Sequence, residues 1–488
     1  MTATGGTAAL ASSAAGRGAR SQRLALLTIS LAQLMFLLDA TIVNVSLPTI
    51  QASMRFSGAD LEWMVSGYSL AFGGLLLLGG RAGDLLGRRR MLTYGVALFT
   101  AASLLGGCAQ TGWWLVACRM LQGVGAAGAY PAALALVAST FPEGRARNRA
   151  LGVFTSVGLA GNAGGLLVGG LITTYLSWRW VLFVNIPFGL FVLWAASRAL
   201  EETPRKGGRF DLAGALTGTL GLGLVVYSLI NSATGEDGRA HWHDPGVVLG
   251  LCAAVALLAA FVAVEHSGRN PLVPLRIFAD RTRSGSCVVQ MMQNIAMFGL
   301  FFFMTLFLQR VWGYSPLRTA LVYLPLTTAL VVMSQTASRL MTRVGARNLI
   351  VCGLAVAAVG TTWLSRLSAS GGYASGMLVP SLLVYLGFGT TTVPLTAAAL
   401  AKVAPGEAGL AAGLFGTSRQ LGGALGLAAI GTVTWAAVAA RSHGATGGRV
   451  AAQALAAGVD RGFTVAACIV AAAAVLVLVT VPGRERGV

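Results

Sequence analysis

The chain has 488 residues, of which 55% are hydrophobic and only 10% charged, with a net charge of +19. A water-soluble domain carries roughly 25% charged residues, so the composition excludes a soluble globular protein and makes lipid the solvent for most of the chain. The basic residues are scattered through short connections between apolar runs and form no continuous basic face, which argues against a nucleic-acid partner.

From the N-terminus, residues 1–23 are rich in Ala, Gly and Ser and carry Arg17, Arg20 and Arg23 without an acid. With no small-residue cleavage site before the apolar run that follows, they read as a retained cytoplasmic tail rather than a secretory signal. Apolar runs then predict spans near 24–49, 61–80, 91–110, 113–140, 149–174, 178–199, 211–231, 246–265, 284–309, 319–341, 347–366, 375–401, 408–438 and 462–481. At about 1.5 Å per residue, runs of this length cross a hydrocarbon core of about 30 Å. With the N-terminus inside, and residues at span ends counted with the adjoining loops, 24 Lys and Arg fall in the tails and inner loops and 9 in the outer loops, while Arg119 and Arg419 remain deeper within spans. That bias follows the positive-inside rule and favours fourteen spans with both ends cytoplasmic in the inner (cytoplasmic) membrane.

Several spans carry polar residues that an apolar segment does not need. Asp39, in Leu38-Asp39-Ala40-Thr41-Ile42-Val43-Asn44, lies near the middle of the first span. An acid there costs about 2.5–3.5 kcal/mol on insertion scales, so it is expected to face the bundle interior and is a candidate proton carrier, the alternative being a packing carboxylate bonded to Thr41, Asn44 or backbone. After the second span, Gly80-Arg81-Ala82-Gly83-Asp84-Leu85-Leu86-Gly87-Arg88-Arg89-Arg90 combines turn-permitting glycines with an acid able to complement an arginine or a helix N-terminus. A faded copy recurs 258 residues later, with Arg339, Gly345 and Arg347 in place of Arg81, Gly87 and Arg89, which implies two related halves. Arg119 in the fourth span needs a carboxylate, carbonyls or water; the glycines after Gln122 match a nucleotide-loop pattern only by composition and read as helix-packing residues.

The six cysteines, Cys108, Cys118, Cys252, Cys287, Cys352 and Cys468, lie in or at the edge of apolar runs and read as small buried side chains. His241 and His243 have a spacing a metal could use, but read as solvated loop residues, so no metal or cofactor is expected. Later spans offer amides and flexible apolar surface in Gln290, Gln293, Asn294 and Phe298, then Tyr323, Tyr385 and Thr390 to Thr392, but no deep acid. With Asn44, Gln122, Arg419 and Gln420 these are candidates for lining a substrate cavity.

These motifs resemble the major facilitator superfamily, and within it the fourteen-span drug:proton antiporters, over nearly the whole chain. The resemblance rests on Gly80 to Arg90, on the first-span segment around Asp39, on Arg119 to Gly128, on Ser177 to Gly189 and on Ser418 to Gly426. It implies an all-α integral membrane fold of two six-helix bundles (24–200 and 284–481) with an inserted central pair (201–283) and a short tail at 482–488. It also implies a conformational role for Gly80, Asp84, Gly87, Arg88 and Arg89, and proton coupling at Asp39 and Arg119. The fifth span fits the family's antiporter motif in Gly161, Gly165, Gly169 and Gly170, but has Leu166 where a proline is usual. The expectation is a transporter, not an enzyme: a monomer in the bilayer that exports a hydrophobic or amphipathic small molecule against protons. An importer or uncoupled facilitator on the same fold, and a membrane sensor that transports nothing, are the alternatives.

Overall fold

The computed structural model describes residues 5–203, 210–232, 241–268, 271–368, 372–401, 403, 408–442 and 448–482. Its helices are α1 (Gly5–Met54), α2 (Gly58–Leu86), α3 (Arg88–Gly107), α4 (Gly112–Thr140), α5 (Arg145–Tyr175), α6 (Trp180–Ala199), α7 (Leu212–Ser232) and α8 (Pro245–Ser267). The chain continues through α9 (Arg281–Arg310), α10 (Pro316–Val344), α11 (Ala346–Leu364), α12 (Val379–Ala399), α13 (Ala408–Ser442) and α14 (Gly448–Thr480). Thirteen spans satisfy length and apolarity together. Helix α3 falls short because it opens on Arg88, Arg89 and Arg90, yet its 20 residues are long enough to cross and it packs against α4 and α6. Each of the fourteen expected spans coincides with one helix.

The two halves are wired alike. In α1–α6, α1 packs on α5, both α2 and α3 pack on α4, and α6 packs on α1 and α3. In α9–α14, α9 packs on α13, both α10 and α11 on α12, and α14 on α9 and α11. Glycine sets the closest crossings. A Cβ on Gly95 of α3 would lie 2.5 Å from the Gly125 carbonyl of α4, and one on Gly353 of α11 would lie 2.7 Å from the Gly387 carbonyl of α12. Gly95 and Gly353 are 258 residues apart, the spacing of the arginine–glycine repeat. Between the halves, α2 packs on α13 and α5 on α10. Helix α7 lies against both α2 and α13, while α8 packs on α7 with only 11% of its most apolar stretch buried, as suits a helix facing lipid.

The connections at 55–57, 108–111 and 311–315 define a distal face, opposite the terminal face where α1 begins and α14 ends. Hydrogen bonds that join the halves lie toward the distal face: Gln309 Nε2 donates to Val45 O (2.8 Å), the Leu317 amide to Thr174 Oγ1 (3.2 Å), and Trp435 Nε1 to Glu62 Oε1 (2.7 Å).

Several expectations are corrected. The N-terminal tail is helical from Gly5 and continuous with the first span, as its alanine content favours, although residues 1–4 lie outside the described part, as do 483–488 of the expected C-terminal tail. The last span begins at Gly448 rather than near 462, because the Ala-rich stretch before it extends the same helix. Gly80 to Leu86 is the last part of α2, not a loop, and Gly87 alone separates α2 from α3. Of the cysteines, only Cys118 and Cys287 are buried; Cys108, Cys252, Cys352 and Cys468 are exposed, because in this environment the outward side is apolar too.

Close glycine crossings predict intolerance of volume. Gly387→Leu, which pushes a side chain against the α11 backbone, should destabilise the protein by at least about 1–3 kcal/mol. Leu at Gly246, where nothing lies within 4 Å, should be neutral in the same thermal unfolding assay on detergent-purified protein; equal effects at the two positions would contradict the packing account.

Candidate functional site

Near the middle of the first half, five helices converge on one carboxylate. Asp39 (α1) is fully buried. Its Oδ2 accepts from Arg119 Nη1 of α4 at 2.5 Å, and its Oδ1 accepts from Gln122 Nε2 of α4 at 3.1 Å and from Asn185 Nδ2 of α6 at 2.8 Å. Arg119, 2% exposed, also donates to Gln122 Oε1 (2.8 Å) and through Nε to the Met64 carbonyl of α2 (3.2 Å). Its guanidinium lies 4.4 Å from the centroid of the Tyr68 ring, also on α2, a favourable stack for a desolvated cation. Gln122 Nε2 reaches Ser103 Oγ of α3 at 2.7 Å. Each charge is thus paired and hydrogen-bonded, which is what burial requires.

The local sequence explains how these groups meet. In α6, Pro187 has no amide to offer Phe183 and its ring crowds that carbonyl, and the helix is interrupted at Val184, next to Asn185. In α4, Pro131 likewise leaves the Ala127 carbonyl without its helical partner, and Gly79 of α2 packs directly on that carbonyl. Along α5, Gly161 faces Leu34, Gly165 faces Thr41 and Leu38, and Gly169 faces Ile42, with a Cβ on Gly169 falling 2.8 Å from the Ile42 side chain. These glycines seat α1 on both sides of Asp39. Gly170 meets Leu317 and Ala320 of α10, so the stripe also reaches the other half. Leu166, in place of the family proline, is buried in the core beside them.

The α2–α3 junction forms a second polar cluster, at the terminal face. Gly87 has φ +106°, a conformation open to glycine, and its amide donates to the Gly83 carbonyl. Asp84 Oδ1 pairs with Arg88 Nη2 at 3.1 Å, and Arg88 Nη1 reaches the Ala135 carbonyl of α4 at 3.3 Å. The Arg89 amide donates to Glu202 Oε1 (3.1 Å), and Arg89 Nη1 donates to the Leu200 carbonyl at the end of α6 (3.3 Å). Gly345, φ +87°, and Arg347, which donates to the Leu478 carbonyl of α14 at 2.7 Å, repeat this arrangement in the second half. A Cβ on Gly80 of α2 would stand 3.8 Å from Pro131 Cβ of α4, in ordinary van der Waals contact.

The remaining candidates separate. Asn44 does not touch Asp39; its Nδ2 donates to the Ala40 carbonyl (2.6 Å), and Thr41 Oγ1 donates to its own helix. Gln122 belongs to the ion-pair network. Tyr323 is fully buried, its hydroxyl donating to the Phe301 carbonyl (2.9 Å) and pairing with Thr305. Gln293 Oε1 accepts from Thr391 (2.7 Å), Asn294 Nδ2 donates to the Gln290 carbonyl (2.8 Å), and Phe298 packs over Gly423. Gln420 packs over Gly73 of α2, with Arg419 beside it in sequence. His241 pairs with Asp244 at 2.9 Å. Sequence reasoning did not single out Asn185, Ser103, Tyr68 or Glu62. Asn185 stood out only as the amide in an otherwise apolar segment, and Glu62, 1% exposed, only as an acid just inside a span.

Comparison with known proteins agrees with this architecture. The family model of the Major Facilitator Superfamily matches residues 29–427. The chain is 42% identical over 420 residues to the puromycin resistance protein pur8 of Streptomyces alboniger, covering 85% of this chain and 82% of that protein. It is 39% identical over 416 residues to the cephamycin export protein CmcT of Amycolatopsis lactamdurans, covering 84% of each. Among solved structures, an auto-inhibited POT family peptide transporter superposes with a TM-score of 0.67 at 16% identity, covering 96% of this chain and 98% of the other. A bacterial Spinster homologue in an inward-facing, unoccupied conformation gives 0.66, also at 16% identity, covering 94% and 97%. At these identities the structural likeness shows the fold alone. The chain belongs to the Major Facilitator Superfamily, and it is a transporter of small molecules rather than an enzyme.

The buried pair gives a sharp expectation for stability. Asp39→Ala leaves a guanidinium buried without its counterion and should cost about 3–5 kcal/mol. Asp39→Asn with Arg119→Gln keeps the shapes without the charges and should recover most of that loss; thermal unfolding of the three purified proteins checks the order, and a double variant as unstable as Asp39→Ala would contradict it.

Proposed function

We propose that this protein exports a hydrophobic or amphipathic small molecule of the drug or antibiotic class across the cytoplasmic membrane in exchange for protons. The terminal face would lie in the cytoplasm, as the distribution of Lys and Arg favours, and one chain would suffice. The observation that carries the coupling is the fully buried Asp39 paired with Arg119.

Protonation of Asp39 removes the negative charge that holds Arg119. The amides of Gln122 and Asn185 accept as well as donate, and Asn185 Oδ1 has no partner in the present arrangement, so the neutral acid also has an acceptor within reach. Released from the carboxylate, Arg119 changes its hold on Met64 and Tyr68 of α2. Helix α2 is joined to α13 of the other half through the glycine contact of Gly73 with Gln420, the Ser66 hydroxyl donating to the Ala424 carbonyl (3.4 Å), and Glu62 with Trp435. A proton at Asp39 thereby biases the seam about which the halves rock. The distal-closed arrangement is one member of the alternating pair, and the Asp84–Arg88 pair with the Arg89–Glu202 contacts latches α2 and α3 to the end of α6 at the terminal face.

One feature favours a second reading. Leu166 takes the place of the proline expected in the family's antiporters and is buried in the core, which suits an uncoupled facilitator as well. Flux decides between them. In proteoliposomes with an imposed pH gradient, a panel of lipophilic antibiotics and dyes that includes acidic, neutral and basic members should show gradient-driven transport of at least one member by the wild type and background transport of it by Asp39→Asn. Transport by both proteins, indifferent to the gradient, would contradict antiport and leave the facilitator.

A further inference from the structure

A guanidinium inside a bilayer is tolerated where it meets an acid, a carbonyl or water. Arg119 has such partners within its own half; among the described residues Arg419 has none. It precedes Gln420, whose Cβ lies 2.7 Å from where a Cβ on Gly73 would stand. Gly73 is at the midpoint of the α2 span, Asp60–Leu86, and Arg419 lies within the α13 span, Gly409–Arg441, about a third of the way from its terminal end. It is half-buried, and among the described residues it makes no hydrogen bond or ion pair. The nearby acids are engaged elsewhere: Asp39 with Arg119, and Glu62 with Trp435 toward the distal end.

A second unsatisfied group stands in the same region. Tyr68 is 3% exposed, and its hydroxyl is buried without a hydrogen-bond partner. Its ring lies beneath the Arg119 guanidinium, and it sits on α2 between Ser66 and Gly73, which touch Ala424 and Gln420 of α13. With Arg119 neutralised by Asp39, the α2–α13 interface carries one net positive charge and one idle O–H donor among the described residues. When the halves rock and bury Arg419 more deeply, it becomes a buried charge without a counterion unless the cargo brings one.

We infer that Arg419 and the Tyr68 hydroxyl bind an anionic group of the transported molecule, so that the cargo is an organic anion bearing a carboxylate or an equivalent oxyanion. Arginine presents parallel N–H donors that match two oxyanion oxygens, and the phenol supplies a third donor. The inference rests on the transport reading above for the identity of the bound molecule as cargo. An anionic lipid headgroup presents the same chemistry, so the test separates the two sources.

The full-length protein in nanodiscs of phosphatidylcholine alone is titrated with 1-naphthylacetate and with its neutral amide, 1-naphthylacetamide, following quenching of intrinsic tryptophan fluorescence. The acid should bind at least about ten-fold more tightly than the amide. Arg419→Gln, which removes an unpaired charge and should fold normally, is expected to bring the two within about two-fold, Arg419→Lys to retain part of the preference, and Tyr68→Phe to weaken the acid alone. Equal binding of acid and amide by the wild type, or a preference that survives Arg419→Gln, overturns the inference. Proteoliposome flux of the same pair separates it from the transport reading. Transport of the amide but not the acid would overturn the anion assignment while export stands; acid-selective binding without flux of either would support the anion site and count against export. Displacement of the acid by added phosphatidylglycerol, with no flux of the acid, would identify a lipid-headgroup site and overturn the assignment to cargo.

Discussion

Everything in the first half is arranged around the cost of holding charge where there is no water. An ionised carboxylate and a guanidinium at mid-membrane each cost several kcal/mol if left alone. Here they are brought into one cluster in which the carboxylate accepts from an arginine and two amides, and the arginine adds a carbonyl and an aromatic face. The donors come from α4 and α6, with α2 and α3 completing the shell. The cluster therefore fixes the relative positions of five helices, and a change in its charge is felt by all of them.

Close backbone approach makes that geometry possible. With no hydrophobic force to press helices together in lipid, small residues let them pack, and glycines mark the tightest crossings: α5 on α1 beside Asp39, α3 on α4, and α11 on α12. The second half repeats the helix packing, the positive-φ glycine and the arginine that caps the sixth helix, but among the described residues it holds no buried ion pair. Within the pseudosymmetric frame the halves therefore differ in kind: among the described residues, one holds a buried carboxylate–guanidinium pair, and the other an arginine within a span, Arg419, without an acid partner. Helix α2 links them, because it touches Arg119 on one side and α13 on the other.

Much of this was legible in the sequence. Fourteen spans, the 258-residue repeat and the exceptional status of Asp39 and Arg119 follow from hydropathy, charge bias and the cost of buried charge. Their pairing was not legible, since residues 80 positions apart in sequence meet only through tertiary packing. The same limit applied to Asn185, which reaches Asp39 from α6, and to Tyr68, whose role depends on lying under a guanidinium from another helix. Amides in the later spans looked alike as cavity residues; the structure distinguishes Gln293, bonded to Thr391, from Asn294, bonded within its own helix. Buried cysteines were inferred from apolar neighbours, a rule made for water-surrounded cores that fails where lipid is outside.

The central claim is that the charge on Asp39 sets which way the halves face. The most direct measurement is the distribution of distances between spin labels at Arg149 on α5 and Arg339 on α10, both exposed near the terminal ends of those helices, recorded on the purified protein from about pH 5 to pH 8. The account predicts two distances whose populations shift with pH in the wild type, and a single distance independent of pH in Asp39→Asn. A wild type that ignores pH, or an Asp39→Asn variant that shifts as the wild type does, would contradict it.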